Sequence, residues 1–329
     1  MQTADRAVAD KQQNFRFLSH GVGGGIDAEE VLSGLRANPK SLPAKLLYDA
    51  RGSSLFNAIC ETEAYYPTRT ERAIFNEHAA SIAQAVGRNS AIIEFGPGDM
   101  SKIRLLLEAL HPAMYIGIDV SESELLRAGP ALAAEYPWLQ VVAVCGDFGA
   151  SDLLESIVPE ENRWVAFFPG STIGNQKPDE AANFLHSLRA TVGNRGAAIV
   201  GVDFRKPKPV LDLAYNDPEG YTRAFNLNLL TRLNRELDAN FDEKRFRHHA
   251  FFNEAQSRVE MHLVSALEQQ VRVAGETFRF EPGESIHTES SYKYTPEDFV
   301  RLAAQAGFGA HRLFSDAQRW FGVFVLSAA

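Results

Sequence analysis

The sequence predicts an α/β fold, a doubly wound and mainly parallel sheet joined to a second, smaller α+β domain. Three observations predict it. Between about residues 91 and 204, short apolar runs alternate with stretches of helical spacing, the rhythm of parallel strands covered on both faces. Glycine-rich or acidic residues follow these apolar runs, so their chemistry collects at the carboxyl ends of the strands, where a doubly wound sheet binds its ligand. After Lys206-Pro-Lys-Pro209 the pattern turns to alternating strands of antiparallel type.

Taken in order, residues 1–25 end in His20-Gly-Val-Gly-Gly-Gly25 and are expected to form a flexible terminus. Asp27 to Ser81 reads as helical through Val31, Leu32, Leu35, Leu55 and Ile59. A polar turn at Leu47 to Ser53 interrupts it, and Pro67 disfavours helix at Tyr66. Ala91 to Phe95 is a strand that breaks into Gly96-Pro97-Gly98, and a helix follows through Ile103, Leu106, Leu107 and Leu110. Met114 to Asp119 is the second strand, with Ser121 placed to cap the next helix. Leu139 to Val144 and Arg163 to Phe168 are the third and fourth, the latter ending in Pro169-Gly-Ser-Thr-Ile-Gly-Asn175. A helix over about 179–190 leads to a fifth strand, Ala197 to Phe204.

Lys206 and Lys208 read as a solvated linker. Ser257 to Leu263 then alternates, with Val259, Met261 and Leu263 on one face and Glu260 and His262 on the other. Phe278 to Phe280 and Ile286 to Tyr292 are further strands. A last helix (Pro296 to Ala306) and two strands (Ala310 to Phe314, Arg319 to Leu326) fit a hairpin on the edge of the first sheet. The expected division is therefore 70–204 with 293–329 as one domain, and 26–69 with 205–292 as the other.

Composition narrows the partners. The chain of 329 residues carries a net charge of −9, which argues against nucleic acid as the main partner because phosphate binding wants a basic face. The two cysteines, Cys60 and Cys145, have apolar flanks and no C-x-x-C spacing, the pattern of reduced, buried thiols. The first 20 residues lack an apolar core, and no window approaches the ~18 apolar residues of a membrane span, so a cytoplasmic protein is expected. A monomer is expected as well. With no carboxylate or cysteine at ligand spacing, His262 and the pair His248-His249 read as non-ligands, and no metal is expected.

Gly96-x-Gly98 between a strand and a helix is a weak motif by itself; glycines there let backbone approach a ligand closely. A dinucleotide site continues to a third glycine, but Ser101 stands at that position and the loop carries Asp99. An acidic loop suits a pyrophosphate poorly and tolerates a sulfonium cofactor with an amino-acid tail. Asp119, ending the second strand 25 residues after Glu94, can accept two ribose hydroxyls. Asp147 and Phe148, ending the third, suit an adenine amine and ring face. These residues are also ordinary turn formers, but three successive strand ends together favour S-adenosylmethionine over NAD.

Longer blocks then carry a resemblance. Tyr48-Asp-x-Arg-Gly-Ser53, Tyr65-Tyr-Pro-Thr-Arg69, Phe168 to Asn175, Ala224 to Leu230, Glu260-Met-His-Leu263 and Thr288-Glu-Ser-Ser-x-Lys293 resemble the histidine-specific Nα-methyltransferases of ergothioneine biosynthesis. The likeness runs from about Leu42 to the C-terminus, and it departs at Pro97-Gly-Asp99, where that family more often has Ser-Gly followed by Thr or Ser. It implies a Rossmann-like class I methyltransferase fold with a substrate-binding second domain, S-adenosylmethionine as cofactor, S-adenosylhomocysteine as product and L-histidine as substrate.

For the site, the resemblance implies that Glu94, Gly96, Gly98, Lys102, Asp119, Asp147, Phe148 and Thr172 serve the cofactor. It places Tyr65 and Asn175 on the polar head of the amino acid, Tyr48 near its amine and Gly170 in the acceptor loop. Tyr65 and Tyr66 are adjacent and their roles can be exchanged. Glu289 and Ser291, two apart on a strand, share a face, and a carboxylate beside a hydroxyl satisfies an imidazole N–H, with Met261 as apolar wall. Glu289 as a solvated strand residue and Met261 as plain core are the alternatives. A methyltransferase acting on another amino acid or small amine, and a non-catalytic cofactor-binding regulatory module, are the competing functions.

Overall fold

The computed structural model describes residues 14–19, 25–87, 90–146 and 163–328. Its strands and helices are numbered here in chain order. The first sheet has the order β1 (Phe15–Ser19), β5 (Gln140–Cys145), β4 (Met114–Asp119), β3 (Ala91–Phe95), β6 (Trp164–Phe168), β7 (Ala197–Asp203), β14 (Phe321–Ala328), β13 (Phe308–Ser315). The strands from β1 to β7 run parallel, and β14 and β13 close the edge as an antiparallel hairpin. This is the doubly wound arrangement with the predicted hairpin.

Both faces are covered, which is why the central strands are mostly apolar. Ile92, Tyr115, Val141, Val165 and Phe167 pack under α3 (Tyr66–Val86), α4 (Ser101–Leu110) and α5 (Glu122–Glu135). Ile93, Ile116, Val142, Ala166 and Phe168 face α6 (Pro178–Val192) and α9 (Pro296–Gln305). Side chains alternate across a strand, so each apolar run serves two cores at once.

The expected flexible terminus fails at 15–19. Phe15-Arg-Phe17 alternates at period two and adds β1 to the edge of the sheet, in register from Phe15 opposite Val141 to Ser19 opposite Cys145. Phe15 and Phe17 are buried, and the Phe15 ring packs so close to Gly129 of α5 that a Cβ there would meet it at 2.5 Å. The Asn14 amide satisfies the carbonyls of Ala133, Tyr136 and Leu139. Ser121 does occupy the N-cap position of α5, but its side chain makes no capping bond. α3 begins at Tyr66, with Pro67 in its first turn, where a missing N–H costs nothing.

The remaining elements build a second body. Its sheet has the order β2 (Lys40–Ser41), β12 (Ser285–Tyr292), β9 (Arg258–Ser265), β8 (Phe246–Asn253), with the hairpin of β10 (Gln269–Val273) and β11 (Glu276–Phe280). Helices α1 (Ala28–Arg36), α2 (Ala50–Glu61), α7 (Lys208–Ala214) and α8 (Tyr221–Glu236) belong to it, around a core that includes Leu47, Ile59, Phe225, Leu229, Leu263 and Ile286. Asp49 caps α2 by accepting from the Gly52 N–H (2.7 Å), and the same carboxylate takes Asn228 (2.8 Å) and Arg235 (2.8 Å) from α8. That explains two of the sequence blocks structurally. Gly52 is there because a Cβ would sit 1.8 Å from the Leu47 carbonyl oxygen.

Gly52→Ala should therefore lower unfolding stability by about 1–3 kcal/mol, the usual cost of overpacking. Urea denaturation checks it; an unchanged midpoint contradicts the contact.

Candidate active site

The six parallel strands end on one edge, and the described residues predicted to serve the cofactor lie along it. After β3 the chain turns through Gly96 (φ 71°) and Gly98 (φ 53°), left-handed conformations that favour glycine. A Cβ on Gly98 would meet nothing within 4 Å, so that face of the loop is open to a ligand. Gly117 on β4 lets the loop settle, since a Cβ there would crowd Pro97 (3.1 Å) and Met100 (3.3 Å). The Asp119 carboxylate, at the end of β4, accepts from the Gly98 N–H (3.2 Å) and the Ser121 N–H (2.9 Å) and ties the two turns together. An open glycine face beside a strand-end carboxylate fits a nucleoside-type cofactor. Asp147 and Phe148 lie outside the described residues.

Glu94 is buried beneath the loop, accepting the Tyr115 hydroxyl at 2.6 Å. Burial pushes its carboxyl up to about 8, against the Tyr115 hydrogen bond and the attraction of Lys102. Lys102 Nζ stands 2.8 Å from Glu71, a residue that the sequence reading missed. Glu71, almost fully buried on α3, also accepts the Gly170 N–H at 2.6 Å. Gly201 on β7 makes room for it, because a Cβ there would fall 2.0 Å from Glu71 Oε1. The loop after β6 is thus anchored from below.

That loop holds Gly170 (φ 79°) and Ser171 (φ 56°), then a 3₁₀ turn, Thr172–Asn175. The Thr172 hydroxyl donates to the Pro169 carbonyl (3.0 Å). Ser171 Oγ accepts the Asp203 N–H (2.9 Å), joining the loop to the end of β7. Gly174 packs against β12, where a Cβ would reach the Tyr292 carbonyl oxygen at 2.7 Å. Asn175 is thereby brought to Glu289, with Nδ2 3.4 Å from its Oε1.

Glu289 owes its direction to a bulge. The β9–β12 register pairs His287 with His262 and then Glu289 with Met261, so Thr288 is the extra residue. Thr288 and Glu289 both turn inward and are buried, as is Met261 beside them. Burial pushes the Glu289 carboxyl up to about 7, opposed by Lys293 and by the Tyr48 hydroxyl. Tyr48, Phe56 and Tyr65 form an aromatic wall, with edge contacts of 5.6 Å (Tyr48–Phe56) and 6.1 Å (Phe56–Tyr65). Tyr65 in turn meets Tyr215, also at 6.1 Å.

Ser291 sits on a charged floor absent from the sequence reading. The Tyr215 hydroxyl and Lys293 Nζ each donate to Ser291 Oγ at 2.9 Å, and Lys293 also donates to Tyr215. Lys293 reaches Asp203 at 2.7 Å, which further pairs with Lys206 (2.5 Å) and the Tyr66 hydroxyl (2.7 Å). Lys206 is buried, not part of a solvated linker. Its nitrogen is held by Asp203 and the Phe204 carbonyl, three and two residues back, and by the distant Tyr66 hydroxyl. Burial would raise the Asp203 carboxyl, but Lys293 and Lys206 outweigh it and hold it below the ordinary range. Tyr65 and Tyr66 are thus told apart: Tyr65 joins the aromatic wall and Tyr66 the ionic floor.

The Glu94 carboxyl keeps its proton in the folded chain up to about pH 8, whereas the ordinary value is 4.5. In that window the folded state binds the extra proton, so stability falls as pH rises through it. Glu94→Gln should flatten this slope of melting temperature against pH relative to the wild type. Equal slopes contradict the burial of an acid at this position.

The comparisons with known proteins agree with this geometry. The family model described as histidine-specific methyltransferase, SAM-dependent, matches residues 27–328. A histidine N-alpha-methyltransferase of Mycolicibacterium smegmatis is 41% identical over 300 residues, covering 89% of this chain and 92% of the relative. The protein of the same name from Mycobacterium tuberculosis is 39% identical over equal shares. Ergothioneine biosynthesis protein 1 of Neurospora crassa is 31% identical over 82% of this chain and 31% of its own, longer length. With a doubly wound sheet, an open glycine loop at its carboxyl edge and these matches, the chain belongs to the histidine-specific, S-adenosylmethionine-dependent methyltransferase family.

Proposed function

We propose that the chain methylates the α-amine of L-histidine in successive steps, yielding Nα-trimethylhistidine and S-adenosylhomocysteine, the reaction type of ergothioneine biosynthesis. The mycobacterial relatives named for histidine methylation support the substrate. The observation that carries it is the pairing of Glu289 with Ser291 on one buried face beside Met261.

A neutral imidazole offers one N–H donor and one bare nitrogen. Glu289 accepts the first. Ser291 Oγ already accepts from Tyr215 and Lys293, so its own hydroxyl is left to donate to the second. Met261 supplies the apolar wall. A phenyl side chain would leave both buried polar groups unpaired, and an indole, with one N–H and no bare nitrogen, would leave Ser291 without an acceptor.

At the other end, Asn175 and Tyr65 hold the polar head and Tyr48 faces the amine. Gly96, Gly98, Lys102, Asp119 and Thr172, with Asp147 and Phe148, hold the cofactor, whose sulfonium supplies an electrophilic methyl group. An amine must be neutral to accept it, and each pKa unit above ambient costs ~1.4 kcal/mol. The residues therefore act by placing the amine in line, by leaving it unprotonated and by excluding water. The faces of Tyr48, Phe56 and Tyr65 suit an amine that ends as a fixed cation.

In this reading residues 70–204 with 293–329 form the cofactor domain, and 26–69 with 205–292 form the substrate-binding domain. The chain acts as a monomer in the cytoplasm, consistent with its free cysteines, and without nucleic acid, consistent with its acidic charge. No helix among the described residues is long and apolar enough to cross a membrane.

Glu289→Ala should lower kcat/KM for histidine roughly 10–100-fold, the worth of a hydrogen bond to a charged group, with cofactor affinity kept. Mass spectrometry should find mono-, di- and trimethylated histidine with the wild type. Absence of these products, or unchanged histidine use by the variant, overturns the assignment.

A further inference from the structure

The outer face of the second sheet carries a cluster that methyl transfer does not use. His249 on β8, His262 on β9 and His287 on β12 stand directly opposite one another across three adjacent strands. Glu260, two residues before His262, shares its face. Glu260, His262 and His287 present ligand atoms that all lie within 4.8 Å of one another. Only strand pairing reveals this, since His287 is far from the others in sequence.

The side chains are already oriented. Glu260 Oε1 accepts from Asn253 (2.9 Å) and Arg258 (2.8 Å), which leaves Oε2 turned to His262 Nε2 at 3.0 Å. His262 Nδ1 lies 3.3 Å from Ser285 Oγ, and that contact fixes the ring from behind. Such outer partners are what orient ligands at metal centres. Ligand atoms at ~2.0–2.2 Å from a tetrahedral zinc stand roughly 3.3–3.6 Å apart, so His287 would complete three by rotating its side chain and exchanging the Ser290 Oγ contact of its Nε2 (3.0 Å) for the ion. The rings of His262 and His287 are 5.1 Å apart. His249 is exposed and stacks on the Phe251 ring (5.2 Å between centroids), a surface contact it would give up to serve as a fourth ligand.

We propose that Glu260, His262 and His287, with His249 as fourth ligand, bind a divalent transition-metal ion of the zinc class. Two or three imidazoles and one carboxylate select zinc, copper or nickel over the oxygen-seeking calcium and magnesium. Arg258 offsets the Glu260 charge, which disfavours a hard cation further. The ion braces the sheet and takes no part in methyl transfer. His287 is the last residue before the bulge that turns Thr288 and Glu289 inward, so a metal there pins that bulge across β9 and β12.

Titration of the full-length chain, free of any affinity tag, with Co²⁺ followed by visible spectroscopy tests this. One tetrahedral Co²⁺ per chain is expected, displaced by Zn²⁺, with Zn²⁺ also raising the melting temperature. His262→Ala and His287→Ala, made singly, should each weaken Co²⁺ binding at least tenfold and abolish the Zn²⁺ stabilisation. Retained affinity for S-adenosylhomocysteine shows that the variants are folded. His186→Ala, on the distant helix α6, should bind like the wild type. A missing tetrahedral spectrum with the wild type, or a spectrum that survives in both folded variants, overturns the site.

Discussion

Asp203 is buried at the carboxyl end of β7 with two lysines and a tyrosine on its two oxygens. A charge in that position is tolerable only when it is paired and hydrogen-bonded, and removing one partner of such a pair costs about 3–5 kcal/mol. The four groups come from separate places in the fold: the end of β7, the start of α3, the approach to α7 and the segment after β12. Backbone bonds run alongside, from the Tyr294 N–H to the Asp203 carbonyl and from the Arg205 N–H to the Tyr294 carbonyl. The parallel sheet and the second sheet are thus tied to one another through this ionic joint.

What rests on this joint is the polarity of the pocket. Lys293 spends its three protons on Asp203, Tyr215 and Ser291, so in the proposed histidine pocket the Ser291 hydroxyl is left to donate. The Ser171 contact with the Asp203 N–H carries the same anchor into the loop after β6. Glu71 holds that loop from α3, and Gly201 makes room for Glu71. Gly201 and the buried Asp203 on β7, Glu71 on α3 and Lys293 after β12 therefore set where Asn175 and Glu289 meet.

The doubly wound sheet was legible because each strand is covered on both faces and each ends in a turn residue with a ligand-facing alternative. Asn175, Met261, Glu289, Ser291, Tyr48 and Tyr65 were legible as a set through their blocks, and they converge. Three features were not. β1 was hidden because five residues at an edge, Phe15–Ser19, follow a polar start and precede a glycine run. Lys206 looked like linker because its carboxylate partner, Asp203, is only three residues back, while the burial of that pair comes from Tyr66 and Lys293, which are distant in sequence. The bulge at Thr288 changes which residues share a face, and a period-two reading alone does not see it.

The central claim is that the substrate pocket takes its shape and donor polarity from the Asp203 joint through Lys293. Lys293→Met tests it most directly, because the Lys206–Asp203 pair remains to keep the carboxylate neutralised. Calorimetry of L-histidine binding in the presence of S-adenosylhomocysteine is the measurement. The account predicts a folded variant that keeps its S-adenosylhomocysteine affinity and binds histidine at least tenfold more weakly. A folded variant that binds histidine as the wild type does would contradict it.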